Sequence, residues 1–171
     1  VGGQLVIPQE NLLASGSAAI ANRAAALYQR QRQEAQRAAF TVGVAEAIQN
    51  ADADRLRILL DGAARLAGLD SLIITDAAGR EVLGLLHVQN HADYAVSTGT
   101  DLSAEPVIRD VLDAGYVGAT GLLRTPENTL LYTAVPVTSG ANLVGVALVG
   151  QRLEAVLADV RGSAVIDVSL Y

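Results

Sequence analysis

The stretch Leu130–Leu157, LLYTAVPVTSGANLVGVALVGQRLEAVL, decides the fold of this chain. Two apolar runs flank the polar turn Thr138–Asn142, and this pattern predicts a β-hairpin because small polar residues and glycine favour tight turns. The second run, Leu143–Gly150, is apolar throughout, which is typical of a central strand covered on both faces. A helix is predicted directly after it, over Arg152–Arg161. The C-terminal third therefore predicts the middle of a sheet.

A second hairpin is predicted upstream of this one. Leu72–Ile74 forms a short buried strand, and Glu81–Val88 is its partner strand. Asp76–Gly79 connects them as a turn, because an Asp side chain can bond its own backbone and Gly supplies a positive φ. A helix with an apolar face at helical spacing precedes the hairpin and ends at Gly68.

A long crossover joins this hairpin to the C-terminal strands. Gln89–Ser103 is polar and irregular, and Ala104–Ala114 is predicted to be a short helix with Pro106 in its first turn. A third strand is predicted at Ala119–Arg124. Two antiparallel strands, a helical crossover and three sequential antiparallel strands predict an α+β fold with a five-stranded, antiparallel sheet.

A long helix is predicted at the N-terminus, over Pro8–Ile48, because good helix formers prevail and no further proline follows. Gly16 and Gly43 weaken this prediction. An apolar residue recurs every seven positions, with a small or polar residue four positions after each, as in a seam between two helices. The helix either lies on its own sheet or extends beyond it and pairs with a second copy. The seam positions are Leu13, Ile20 and Leu27, followed by Ser17, Ala24 and Gln31.

The elements suggest three parts: the long helix over residues 1–50, a globular module over residues 51–163, and the start of a further strand or module over residues 164–171. Asp52 or Asp54 is predicted to cap the first helix of the module. The chain begins with Val1 rather than Met and ends inside a predicted strand, so it is expected to be a piece of a longer protein.

Composition narrows the class of function. A hydrophobic content of 51% is ample for a core, and a net charge of -6 argues against nucleic-acid binding, which needs clustered positive charge. The chain has no cysteine, which excludes disulfides, cysteine zinc sites and thiol nucleophiles. The longest apolar run, Leu143–Gly150, is far shorter than the ~20 residues that span a bilayer.

Catalysis is not expected. The aspartate pairs Asp52/Asp54 and Asp110/Asp113 are spaced like exposed helix residues or caps rather than like paired catalytic carboxylates. A glycine-rich phosphate loop followed by Lys and a G-x-S-x-G motif are both absent. The sequence therefore predicts neither an enzyme nor a bound cofactor.

Two histidines, His87 and His91, lie four residues apart with Asp93 close by. Histidines at this spacing can share a metal ion on a helix, but this segment leaves a strand and offers no third ligand at a suitable spacing. They are predicted to be ordinary loop histidines or polar groups that face a ligand.

Arginines and tyrosines are the other candidate binding groups. Arg109 and Arg124 could anchor a carboxylate, because a guanidinium presents a planar fork to two oxygens, although a solvated surface arginine is the simpler interpretation. Tyr132 lies in a largely apolar strand, either as a core residue or as a hydrogen-bond donor to a ligand. Tyr94 and Tyr116 lie in loops, where an apolar or stacking ligand would use them.

Three groups of residues resemble the Cache family, the PAS-like extracytoplasmic sensor domains of bacterial receptors. Ile73–Arg80 is like the family's strand followed by an "aspartate, any, any, glycine" turn. Glu105–Val107 with Val111–Gly115 is like its short helix before the third strand. Ala134–Val137, a Ser-Gly-Ala-Asn turn and Val144–Ala147 are like its "PV, turn, VG" hairpin. The resemblance extends over roughly Pro8–Tyr171.

The resemblance implies a small-molecule-sensing domain outside the cytoplasm, in a membrane-anchored receptor whose output is a histidine kinase, a cyclase or a chemotaxis domain. The ending Val165–Tyr171 resembles the opening strand of a second module, as in the double form of the family. The family's amino-acid-binding pattern of Tyr, Arg, Trp and Asp cannot be placed, because the chain has no Trp.

A second resemblance points to another class of protein. Arg55–Leu85, with its helix, strand, turn and strand, also resembles the roadblock or longin interaction modules, which bind small GTPases without a ligand pocket. The long preceding helix and the hairpin Leu130–Gly150 favour the Cache family. A cavity beside Tyr132 distinguishes the two, since a roadblock sheet is packed solid.

The resemblance to a sensor predicts a small polar ligand, such as a carboxylate, bound between the sheet and the crossover. The crossover His87–Tyr116 should cover that face, with Tyr132 at its floor or wall, and the N-terminal helix should cover the other face. Binding should shift this helix, which is also the predicted homodimer contact. The predicted ligand-binding residues are Tyr132, Arg109, Arg124, Tyr94, Tyr116, His87 and His91.

Overall fold

The computed structural model describes residues 2–115, 117–125 and 128–158, with side chains from residue 17 onward. Residues 153–158 are helical, inside the helix predicted after the last strand, and the strand predicted over residues 164–171 lies outside the described residues. The elements are α1 (Gly2–Phe40), α2 (Val44–Gln49), α3 (Ala53–Ala67), β1 (Ser71–Asp76), β2 (Glu81–His87), β3 (Tyr94–Ser97), α4 (Pro106–Leu112), β4 (Ala119–Arg124), β5 (Thr129–Ser139) and β6 (Asn142–Arg152).

The chain divides into two compact units. Residues 30–152 form one unit, which contains the end of α1, the helices α2–α4 and the whole sheet. Residues 1–29 and 153–171 form the other. The three-part division expected from the sequence stays a prediction.

The N-terminal helical region contains a break that the sequence pattern only hinted at. In place of one helix over Pro8–Ile48, α1 ends at Phe40 and α2 begins after Gly43, whose φ of 94° is a left-handed conformation that favours glycine. The next helix, α3, has the predicted ends. Its cap is Asp52, whose side chain accepts a hydrogen bond from the backbone N–H of Arg55 at 3.0 Å.

The sheet has the strand order β3-β2-β1-β6-β5-β4, and each neighbouring pair is antiparallel. Strand β6 lies between β1 and β5, and its residues Val144–Gly150 are buried, which confirms the predicted central strand. The α+β class is also confirmed, but the described sheet has six strands rather than five. The additional strand, β3, pairs only with β2 and has four residues, and it lies inside the segment Gln89–Ser103 that the sequence predicts to be irregular.

Two apolar cores lie on opposite faces of the sheet. The end of α1 packs with α2 and α3 on one face, while α4 covers the other. Neighbouring residues of a strand point to opposite faces, so Ile74 belongs to the first core and Ile73 to the second. In β5, Val135 belongs to the first core and Tyr132 to the second. This arrangement places the crossover opposite the N-terminal helix, as the sequence predicts.

Candidate ligand-binding cavity

A cavity of ≈ 340 Å³ lies on the α4 face of the sheet. Strands β1, β2, β4 and β5 contribute its floor, and the crossover contributes residues between Ser97 and Glu105 as its cover. Tyr132 is part of its wall. Its apolar lining includes Ile73 and Leu130, with polar side chains around them. This size and lining suit a small molecule held by a few polar contacts.

The ring of Tyr132 lies across the sheet because a glycine leaves room for it. Tyr132 on β5, Gly150 on β6 and Ser71 on β1 are register partners in one row. A Cβ at Gly150 would lie 2.5, 2.7 and 2.8 Å from three ring atoms of Tyr132. The phenol thus reaches β1, where the oxygens of Tyr132 and Ser71 share a hydrogen bond of 2.6 Å.

Burial sets the protonation state of this tyrosine. Tyr132 is 3% exposed, and burial is the main cause that raises its pKa from 10.0 to about 12. The hydrogen bond with Ser71 lowers the pKa of Tyr132, whereas the charge of Glu81 raises it further. The hydroxyl is therefore neutral at physiological pH and can donate one hydrogen bond, to Ser71 or to a ligand.

Charged residues line the cavity at four further positions, Glu81, Asp101, Glu105 and Arg124. Glu81 lies on β2, and its Oε2 accepts a hydrogen bond from the Ser97 hydroxyl on β3 at 3.0 Å. Asp101 lies in the cover, and hydrogen bonds from Ser103 are the main cause that lowers its pKa, so it is ionised at neutral pH. Arg124 is exposed at the end of β4. The cavity thus offers both signs of charge to a bound molecule.

Two of the predicted binding residues, Tyr132 and Arg124, come together in this cavity. Arg109 does not lie among its lining residues. It lies on α4 with its side chain 63% exposed, and its Nε donates a hydrogen bond to Asp113 Oδ2 at 3.1 Å. His91 is exposed in the turn after β2, and Tyr116 lies outside the described residues.

His87 and Tyr94 line a separate cavity of ≈ 370 Å³ at the end of α3. The Tyr94 hydroxyl faces the carbonyl oxygens of Ala64 and Leu69 at 3.0 and 2.6 Å, so it can donate to the end of this helix. Burial is the main cause that raises the pKa of Tyr94. This tyrosine therefore holds α3 against the sheet edge. A ligand-binding role for the seven predicted residues stays a prediction.

Three polar residues of the cavity, Glu81, Ser97 and Asp101, were not expected from the sequence. The turn ending at Gly79 predicts that a strand starts near Glu81, but nothing in the local sequence shows which face its side chain takes. Ser97 belongs to β3, a strand of four residues inside the segment Gln89–Ser103 that the sequence predicts to be irregular. These residues meet only through strand pairing, which a single sequence does not display.

Within the described ranges, no group of three or more His, Asp or Glu side chains is placed to hold a metal ion. In the same part of the chain, none of the helices combines the length and the apolar character that a membrane crossing needs.

The family model dCache_3, described as a double sensory domain of two-component sensor kinase, matches residues 9–171. The chain belongs to this family. It is thus a Cache-type sensor domain, as the motifs around Asp76 and Pro136 suggested. The cavity beside Tyr132 agrees with this family and not with the solid sheet of a roadblock or longin module.

Solved structures of sensor domains share the fold of this Cache chain. The extracellular domain of the proposed histidine kinase vpHK1S-Z8 is 14% identical with a TM-score of 0.66; the match covers 85% of this chain and 56% of that one. The ligand-binding domain of the Campylobacter jejuni chemoreceptor Tlp3, in complex with 4-methylisoleucine, is 9% identical with a TM-score of 0.64. The match covers 90% of this chain and 61% of the Tlp3 domain. The E. coli DcuS sensor domain is 13% identical with a TM-score of 0.63. The match covers 81% of this chain and 98% of the DcuS domain.

The Cache chain therefore spans less than two thirds of the vpHK1S-Z8 and Tlp3 domains, but nearly all of the DcuS domain. At these identities the likeness concerns the fold alone. No curated protein sequence is significantly similar to the chain.

Proposed function

We propose that this chain senses a small polar molecule as the extracytoplasmic part of a bacterial signal-transduction receptor. The ligand binds between the sheet and the crossover. The observation that carries the proposal is the ≈ 340 Å³ cavity, in which Glu81, Tyr132 and Arg124 surround an apolar floor. Membership of a double sensory domain family supports it, as does the amino-acid derivative named for the Tlp3 structure.

Strand β5 offers a route from the cavity to the signalling helix. Tyr132 lines the cavity, while its neighbours Leu131 and Thr133 meet α1 through Gln31. Gln31 is 5% exposed; its Nε2 donates to the Leu131 carbonyl at 3.2 Å, and the Thr133 hydroxyl donates to its Oε1 at 2.8 Å. A ligand that displaces β5 would therefore displace α1 as well, because the buried bonds resist separation.

The whole receptor is proposed to be membrane-anchored and homodimeric through the N-terminal helix. Its output is a histidine kinase, a cyclase or a chemotaxis domain. No nucleic-acid partner is expected, since the net charge is -6.

A thermal-shift screen of a metabolite library tests the proposal. A compound that binds only the folded chain raises the melting temperature by mass action, by an amount that grows with its concentration. Isothermal titration calorimetry then measures the Kd of each stabilising compound. A library in which no compound stabilises the chain would contradict the proposal.

A blocking variant tests whether binding occurs in this cavity. Thr100 lines the cavity in an exposed part of the cover, so Thr100→Trp should fill the entrance and abolish binding. Thr138→Trp introduces the same ring at an exposed position in the last hairpin and should leave Kd unchanged. Equal Kd values for both variants would place the ligand elsewhere.

A further inference from the structure

Glu81 is a buried acid without a cationic partner. The residue is 6% exposed, and no ion pair involves it among the described residues. Its Oε2 accepts the hydrogen bond from Ser97, but its Oε1 is buried without any hydrogen-bond partner in the described part of the chain. A buried carboxylate is normally paired with a cation or fully hydrogen-bonded, because desolvation of its charge is costly. This oxygen can therefore accept a hydrogen bond from a donor outside the described residues.

A β-bulge turns Glu81 toward the cavity. On β2, Leu83 pairs with Ile74 of β1, but the next pair joins Glu81 to Thr75, so Val82 is left as the additional residue. Val82 lies with Leu83 in the core on the helix side. Without the bulge, alternation would place Glu81 in that apolar core and Val82 in the cavity. The bulge thus places the side chain of Glu81, rather than that of Val82, in the cavity wall.

Gly84 leaves space for this carboxylate. A Cβ at Gly84 would collide with Glu81 Oε2 and with the Ser97 hydroxyl. The backbone around Glu81 is also held on both sides, since its N–H donates to Thr100 O at 2.8 Å and its carbonyl accepts from Gly99 N–H at 2.8 Å. The acid is therefore positioned by the fold rather than left as a mobile surface group.

The remaining charges of the cavity have the same sign as Glu81, with one exception. Asp101 and Glu105 line the cover, and Arg124 at the exposed end of β4 is the one cation among the described lining residues. Acidic residues therefore outnumber basic ones in the lining, which favours a cationic group on a ligand over an anionic one.

We propose that the cavity takes a ligand with a protonated amine, and that the amine pairs with the buried carboxylate of Glu81. This inference rests on the proposed sensing function and adds the class of ligand. An ammonium group supplies the donor that Oε1 lacks and the charge that the carboxylate lacks. A second, anionic group on the same molecule would lie toward Arg124.

A library balanced between amines, carboxylates and neutral compounds of similar size tests this inference. We expect the compounds that stabilise the chain to carry an amine. For each amine that binds, Glu81→Gln should weaken Kd by at least tenfold, because the amide keeps the shape and loses the charge. Glu46→Gln removes the same charge from α2, on the other side of the sheet, and should leave Kd within twofold.

A second test uses the unaltered chain, so its result does not depend on whether the Glu81→Gln variant folds. The N-acetyl derivative of each binding amine has no charge on nitrogen and should not bind. If only carboxylates or neutral compounds bind, or if Glu81→Gln leaves the Kd of a bound amine unchanged, the inference is wrong while the sensing function stands. If no compound of any class binds, the proposed function fails together with it.

Discussion

At the scale of single residues, Gly150 controls the wall of the cavity. Gly150→Ala would force the Tyr132 ring away from β6 and break its hydrogen bond with Ser71. We expect the free energy of unfolding to fall by about 1–3 kcal/mol, the usual cost of an overpacked core. Urea unfolding followed by circular dichroism measures it.

Gly62 provides the matched control for this substitution. It lies in α3, exposed, and a Cβ there meets no atom within 4 Å. Gly62→Ala should therefore stabilise the chain by about 0.5–1 kcal/mol, because alanine favours a helix. Equal effects of the two substitutions would contradict the role given to Gly150.

Tyr132 should make stability depend on alkaline pH. Its pKa is about 12 in the folded chain and near 10.0 when unfolded, so the neutral form is favoured by folding. This contribution is fully present below about pH 10 and is lost as the pH rises toward about 12, at up to about 1.4 kcal/mol per pH unit. Between about pH 9 and pH 11, the unfolding free energy of the wild type should fall more steeply than that of Tyr132→Phe. Parallel curves for the two proteins would contradict the raised pKa.

Of the two arginines that the sequence offers for a carboxylate, the structure favours Arg124. It lines the cavity, whereas Arg109 is paired with Asp113 on the outer side of α4. For a ligand with a carboxylate, Arg124→Ala should cost roughly 1.5–3 kcal/mol of affinity, and Arg109→Ala should serve as a control with unchanged affinity. Titration calorimetry distinguishes them, and unchanged affinity in both variants would rule out an arginine anchor for the carboxylate.

At the scale of elements, helix α1 combines two environments. Gln31, which the heptad spacing assigns to a seam between helices, is instead buried against β5 of the same chain. Ile20, further toward the N-terminus, is 41% exposed. The end of the helix thus lies on the sheet, whereas pairing of the exposed part around Ile20 with a second copy stays a prediction.

The homodimer prediction belongs to this exposed part of α1. Ile20→Glu should abolish any dimer, because it places a charge in an apolar seam. Asn22→Glu adds the same charge at an exposed position two residues further on, which is a different side of the helix, and should leave the dimer intact. Sedimentation velocity over a range of concentrations measures both, and a wild-type chain that stays monomeric throughout would contradict the prediction.

At the scale of the whole molecule, the sheet within residues 30–152 lies between a layer of helices on one face and the cavity on the other. One face packs against the end of α1, α2 and α3, while the other face is covered by α4 and forms the cavity together with residues of the crossover. The central strand β6 is buried on both sides, so it packs against both layers. One strand, β5, therefore lines the cavity on one side and contacts the end of the N-terminal helix on the other, as the proposed sensing function requires.

The sequence by itself determined the elements whose signals are local. The turns Asp76–Gly79 and Thr138–Asn142, the cap at Asp52 and the apolar run of β6 depend on neighbouring residues only, so they could be predicted. Their order was enough to identify the family resemblance. The same order of elements predicted which face of the sheet carries the cavity and that Tyr132 lies at its floor or wall.

The tertiary structure alone decided the chemistry of the site, because strand register brings together residues that are distant in the chain. The bulge beside Val82 turns Glu81 toward the cavity, the row through Gly150 brings Tyr132 to Ser71, and β3 contributes Ser97 from a segment that the sequence predicts to be irregular. A shift of one residue in any of these pairings would reverse the faces of the side chains. No pattern within a single strand contains that information.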